Sequence, residues 1–116
     1  KKAYLQSAVK LLAEKYGEGV ITLTLKDQYY NMREMVEPHP EVVEKDEEAM
    51  KLTGVTPVVR PIRGGTDGSR LSYMGLPCPN LFTGGMNFHG KFEYCSVDTM
   101  ERACRTLVNL ARLWGE

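Results

Sequence analysis

The sequence carries no excess of charge of either sign. Its 15 basic residues are matched by 15 acidic residues, and the formal net charge is zero. A chain without a basic excess has no bulk electrostatic attraction for nucleic acid or for an anionic membrane surface. We therefore expect neither kind of partner.

Long hydrophobic runs are missing as well, and cysteine is scarce. No apolar run approaches the roughly 20 residues that a membrane-spanning helix needs, and no signal peptide or lipidation motif is recognisable. The three cysteines, Cys78, Cys95 and Cys104, show no paired-ligand spacing. This pattern favours a reduced, cytoplasmic protein. Cys104 falls on an apolar helical stripe, where we expect a small core residue.

Recognisable catalytic and metal-binding motifs are also absent. The only histidines are His39 and His89, and no HxH, HxD, HExxH or CxxC spacing occurs. A zinc ion wants about four ligands, so one histidine makes no site. His39 stands between two prolines and is expected in an exposed turn. A run of acidic residues spreads around its predicted helix, which indicates a solvated face rather than a metal site. These residues are Glu44, Asp46, Glu47 and Glu48.

The elements that the sequence does predict alternate between helix and strand, which indicates the α/β class. Residues 1–31 read as a helix ended by Gly17 or Gly19 and then a strand over Val20–Leu25. The pattern begins as if already inside a helix, which suggests a piece of a longer protein. Further helices are predicted over 40–53, 68–74 and from Ser96 onward, with strands over 55–62 and 76–83. The last helix has the cleanest apolar stripe and is expected to pack on the core. The stripe consists of Val97, Met100, Cys104, Leu107, Val108, Ala111 and Trp114.

Two loops are candidates for chemistry. Arg63 opens the glycine-rich turn RGGTDG between a predicted strand and helix, where backbone N–H groups and a guanidinium fork could hold an anion or carboxylate. The alternative is a plain tight turn, and the phosphate-loop ending is missing. His89 lies in GGMNFHGKFE, again between a predicted strand and a helix. It is either a general base or metal ligand, or a histidine hydrogen-bonded in a turn, and the residues alone leave both open.

Three runs, however, resemble a known family: YYNMRE, PIRGGTDGSRLSYMGLPCPNLFTGG and NFHGKFE. Together they resemble the C-terminal part of tripeptide aminopeptidases in the dinuclear-zinc exopeptidase family. The resemblance implies part of a mixed sheet flanked by helices. It also implies that residues 1–31 end an inserted lid, or dimerisation, domain and that residues 32–116 belong to the catalytic domain. Tyr30 and Asn31 would lie at the hinge between the two domains.

The resemblance also assigns roles to individual residues. His89 would be a ligand of one of two zinc ions, and Arg63 would bind the carboxylate of a short peptide substrate. The remaining substrate-binding positions would be Gly64, Gly65, Thr66, Asp67 and Asn87. The other zinc ligands and the catalytic Glu-Glu pair of the family lie upstream. The pair Glu47–Glu48 does not match that position, so no catalytic residue is expected in this chain.

Several functional expectations follow from the resemblance. The parent would be a zinc-dependent, homodimeric aminopeptidase, and this chain alone would be inactive and would self-associate. The alternatives are a non-catalytic binding or assembly module of the same fold, or a related hydrolase of acylated amino acids.

Overall fold

The computed structural model describes all 116 residues, Lys1–Glu116. It is a helix-rich mixed structure with one small antiparallel sheet of two strands. The elements in chain order are α1 Lys2–Tyr16, α2 Arg33–Val36, α3 Pro40–Leu52, α4 Asp67–Tyr73, β1 Gly85–Met86, β2 Tyr94–Cys95 and α5 Val97–Gly115. None of the helices combines the length and the apolar character that a bilayer crossing requires.

The helices begin and end where local sequence chemistry predicts. Helix α1 ends before Gly17, whose N–H donates to the carbonyl of Ala13. Helix α3 starts with Pro40, which suits a first turn because the N–H that proline lacks would be unsatisfied there. The Ser96 side chain caps α5 by accepting from the N–H of Thr99 at 3.4 Å. The four helices predicted from the sequence, of which α4 is the shortest, are therefore confirmed.

The three predicted strands are wrong for this chain. Residues 20–25, 55–62 and 76–83 take no strand pairing, and the observed sheet is instead the short hairpin β1–β2. A strand is held by hydrogen bonds to a neighbouring strand, and the chain offers none to these segments. Val58 and Val59 are each 73% exposed, so the apolar surface expected to face a core is bare. A salt bridge from Lys2 to Asp27 links α1 to the chain just after the first of these segments.

The only substantial packing joins α3 and α5. Ala49 of α3 is fully buried, and Thr106 of α5 is 1% exposed. The Thr106 hydroxyl meets that of Thr53, just after α3, at 2.9 Å and donates to the carbonyl of Arg102. The contact between α3 and α5 thus contains one small apolar side chain and one pair of hydroxyl groups that are hydrogen-bonded to each other.

The predicted core stripe of α5 lies outside the contact with α3. Helix α5 meets α3 through Thr106 and half-buried Leu110 and Leu113. Most of the predicted stripe is exposed, including Cys104, Leu107 and Val108. Periodicity identified an apolar face correctly, but no element of this chain covers it. The prediction that Cys104 is a core residue is therefore wrong here.

The acidic face of α3 also departs from prediction at one position. Glu44 and Glu48 are exposed as expected, but Asp46 is only 7% exposed and faces inward. Burial raises the pKa of the Asp46 carboxyl from its ordinary 3.8 to about 6. The prediction of a fully solvated acidic face fails because Asp46 lies on the side of α3 that carries Ala49.

The molecule as a whole buries little of itself. Seven of 116 residues are buried, and the accessible surface is 9664 Å². A compact protein of this mass would expose about 6,400 Å². The radius of gyration is 20.1 Å, against about 13 Å for a compact domain of similar length. The chain does not close a core of its own.

Candidate substrate-binding and metal-binding loops

The first candidate loop runs from Arg63 to Asp67 and leads into α4. The Arg63 side chain is exposed and forms no ion pair within the chain. Its guanidinium therefore keeps all its donors for a partner, and a carboxylate matches that fork geometry. The sequence-based interpretation as a carboxylate-binding position is compatible with this placement.

The end of this loop is held rigidly. Thr66 caps α4, because its hydroxyl accepts from the N–H of Ser69 at 3.3 Å. The side-chain amide of Asn80 donates to the same hydroxyl at 3.3 Å. Gly68 lies so close to the carbonyl of Cys78 that an added Cβ would come within 2.6 Å of that oxygen. The segment 78–80 thus supports the loop from behind.

The segment 29–31 packs against the front of the loop and against α4. The Ser69 hydroxyl donates to the carbonyl of Tyr30 at 2.6 Å, and the Tyr73 hydroxyl donates to that of Asn31 at 3.0 Å. The rings of Tyr30 and Tyr73 lie 5.4 Å apart. The Tyr73 phenol has a raised pKa, through desolvation and then through the charges of Glu34 and Tyr30.

Tyr29 makes the closest approach to the loop. Its ring occupies the space that a Cβ on Gly65 would need. Glycine is required there because the aromatic face rests directly on the loop backbone. Gly65, predicted only as a substrate-lining residue, therefore also has a packing role with Tyr29 that the sequence did not reveal.

The second candidate loop carries His89 and connects β1 to β2. Asn87 and His89 both take left-handed backbone angles, with φ of 55° and 63°. Such angles are uncommon for residues other than glycine, although asparagine and histidine tolerate them better than most. The base of the hairpin is fixed by a hydrogen bond from Ser96 N–H to the carbonyl of Gly84 at 3.0 Å.

Hydrogen bonds within the loop satisfy its backbone. The N–H of His89 donates to the Glu93 carboxylate at 2.9 Å, and the Asn87 amide donates to the carbonyl of Phe92 at 3.3 Å. The N–H of Gly90 donates to the carbonyl of Asn87 at 2.9 Å. The His89 imidazole is exposed and has no hydrogen-bond partner. The backbone of His89 is therefore hydrogen-bonded within the turn, whereas its ring makes no hydrogen bond.

The side chains of this loop could supply one ligand of a metal site and no more. No group of three or more histidine, cysteine, aspartate or glutamate side chains lies close enough to hold an ion. Zinc takes about four ligands, so His89 could supply one and the rest would have to come from elsewhere. Glu93 is engaged with the backbone of His89. No hydrogen bond joins the Arg63 loop to the His89 loop.

Sequence reasoning placed His89 on a loop but missed Glu93. The signal was present in NFHGKFE, where Glu93 follows His89 by four residues. It could be interpreted only once a hairpin, rather than a strand leading to a helix, was known to enclose the loop.

A separate open pocket of about 460 Å³ is lined in part by Asp46. His39 lines it at the start of α3, with Leu76 and Cys78 from the segment after α4 and Trp114 from α5. The ring of His39 lies 3.3 Å from the Glu41 carboxylate, at the turn position predicted for it. The pocket shares no residue with either candidate loop.

Comparison with known proteins gives the two loops a family context. Residues 9–113 match the sequence profile described as peptidase family M20/M25/M40. The chain is 57% identical over all 116 residues to peptidase T of Caldanaerobacter subterraneus and 58% identical to peptidase T of Bacillus velezensis. It is 54% identical to peptidase T of Clostridium perfringens. All of this chain is covered, but it spans only 28–29% of the length of these relatives. The profile covers nearly the whole sequence, both loops included, and the chain belongs to peptidase family M20/M25/M40.

Proposed function

We propose that this chain is the C-terminal part of a zinc-dependent aminopeptidase that releases N-terminal residues from tripeptides. The observation that carries the proposal is the 57% identity to a peptidase T over the whole chain. The free His89 imidazole and the unpaired Arg63 side chain support it, since one suits a metal and the other a carboxylate.

In this proposal Arg63 binds the peptide carboxylate, and the rest of its loop and Asn87 line the pocket. His89 contributes one ligand to a two-zinc site. Bound zinc supplies Lewis-acid polarisation and activation of water. Because this chain offers only one ligand, we derive no reaction step from it, and the 116 residues alone are expected to be inactive. The parent would act in the cytoplasm as a homodimer.

The proposal extends to domain organisation. Residues 1–31 would close a lid domain, and residues 32–116 would belong to a catalytic domain whose mixed sheet is flanked by helices. The segments 20–25, 55–62 and 76–83 support this, because each has strand-like sequence and no strand partner within the chain. Strands supplied by the rest of the parent would complete them.

The test is the substitution His89→Ala in the full-length protein. We expect loss of at least one zinc ion per chain by elemental analysis, together with at least a 100-fold loss of tripeptide hydrolysis, since a side chain that binds the metal directly is removed. His39→Ala is the matched control, because His39 is exposed and outside both loops, and it should keep zinc and activity. Unchanged zinc content in His89→Ala would show that His89 is not a zinc ligand.

Assays of the unmodified full-length protein separate the alternatives. Hydrolysis of tripeptides with a free N-terminus supports the aminopeptidase. Activity confined to acylated amino acids would replace it with the related hydrolase. Absence of any hydrolysis by zinc-loaded protein would leave the binding-module hypothesis in its place.

A further inference from the structure

The backbone of His89 is held by a single side chain. Its N–H donates to the Glu93 carboxylate at 2.9 Å, and this is the only hydrogen bond between a side chain and the His89 backbone. The bond spans the left-handed turn at His89, where φ is 63°. A residue in that conformation persists only when its surroundings hold it there.

The other hydrogen bonds of the loop hold the hairpin together, but only Glu93 accepts a hydrogen bond from the N–H of His89. The side-chain amide of Asn87 donates to the carbonyl of Phe92, and the N–H groups of Gly90 and Glu93 donate to the carbonyls of Asn87 and Gly90. The pairing of Gly85 with Cys95 closes the base. None of these bonds fixes the direction in which the His89 ring leaves the backbone.

We propose that Glu93 is a positioning residue that fixes His89 in its left-handed conformation and so aims the imidazole out of the loop. The carboxylate acts as a hydrogen-bond acceptor on the backbone, not as a metal ligand. This inference rests on the proposed role of His89 as a ligand. Residues that orient a ligand characteristically change metal affinity 10- to 100-fold when removed.

The test uses the full-length protein with Glu93→Ala, Glu93→Gln and His89→Ala. Glutamine keeps an oxygen that can accept from the same N–H but carries no charge. We expect about a 10-fold or greater loss of zinc affinity for Glu93→Ala in competition with a chelator, and values within about threefold of the parent protein for Glu93→Gln. Glu101→Ala is the matched control, because it removes an exposed glutamate paired with Arg105 on α5.

A second measurement does not depend on zinc or on activity. Amide hydrogen exchange in the peptide covering 87–93 of the metal-free protein should accelerate in Glu93→Ala and stay near the parent rate in Glu93→Gln, since an amide that loses its acceptor exchanges faster. This keeps the inference testable if Glu93→Ala loads metal poorly because of reduced stability.

The outcomes separate the inference from the proposed function. Full zinc loss in His89→Ala with unchanged affinity in Glu93→Ala overturns the positioning role alone. Equal defects in Glu93→Ala and Glu93→Gln overturn it as well, because they would mean that the charge matters and not the acceptor. Retention of zinc in His89→Ala overturns the proposed function, whereas faster exchange at 87–93 in Glu93→Ala would still support the backbone contact.

Discussion

At the scale of single residues, the side chains of His89 and Arg63 have no hydrogen-bond or ion-pair partner within the chain. His89 and Asn87 are held through backbone and amide bonds, and Arg63 is left without an internal partner. Arg105, by contrast, pairs with Glu101 at 2.5 Å, one helical turn away on the exposed face of α5. An arginine that finds no such neighbour in a chain with balanced charge is available for a ligand.

Arg63→Ala in the full-length protein should weaken binding of peptides with a free C-terminal carboxylate. Loss of a charge-assisted hydrogen-bonded pair corresponds to roughly a 10- to 100-fold rise in KM. The same peptides with an amidated C-terminus should show little difference between variant and parent. Arg105→Ala serves as the control for a general loss of positive charge. Equal losses with both kinds of peptide would exclude the carboxylate-binding role.

At the scale of elements, local sequence signals predicted the helices and failed for the strands. Capping residues and a proline at N1 act within one turn, so Pro40 and Ser96 sufficed to place α3 and α5. A strand needs a neighbour that may be distant in sequence. The alternation over Val20–Leu25 therefore described a segment suited to a sheet that this chain cannot build. The same limit hid the hairpin around His89 and with it the bond to Glu93.

The burial of Asp46 beside the α3–α5 contact predicts that the free energy of unfolding depends on pH. Because its pKa is raised from 3.8 to about 6, the folded state favours the protonated carboxyl. Its contribution to the free energy of unfolding is therefore fully present below about pH 4 and is lost as the pH rises through about 6. Asp46→Asn should remove this dependence and stabilise the protein at pH 7.5 by on the order of 1 kcal/mol, a figure reduced to allow for solvent screening.

Thermal unfolding of the full-length protein between pH 4.5 and 7.5 checks this expectation. Glu48→Gln is the matched control, because Glu48 is an exposed acid on the same helix. If Asp46→Asn were as stable as the parent protein at pH 7.5, the carboxylate would be solvated and the burial of Asp46 would have no energetic consequence.

At the scale of the whole molecule, the accessible surface is much larger than that of a compact protein. The 9664 Å² of accessible surface exceeds the roughly 6,400 Å² of a compact protein of this mass by about half. Large apolar side chains are exposed on the outer side of α5 and along the unpaired segment 55–62. Monomeric proteins rarely expose contiguous apolar patches beyond a few hundred Å². The family relatives, of which this chain spans 28–29%, have ample additional chain to cover these faces.

The isolated 116-residue chain is therefore expected to self-associate. Light scattering coupled to size exclusion should give a mass well above the 13.1 kDa of one chain, and a dye that binds apolar surface should fluoresce strongly. Replacing Leu107 and Val108 together by glutamate should shift the distribution toward smaller species. A single sharp 13.1 kDa peak for the unmodified chain would mean that these faces do not drive association.

The contact between Tyr29 and Gly65 has a consequence for how the sequence can vary. The ring rests where any side chain at position 65 would begin, so the two positions cannot change independently. When both codons are randomised and functional full-length proteins are selected, glycine should be recovered at 65 wherever an aromatic residue occupies 29. Alanine or serine at 65 should be recovered only beside a small residue at 29. A residue just before the proposed lid boundary would then restrict mutation within the substrate loop.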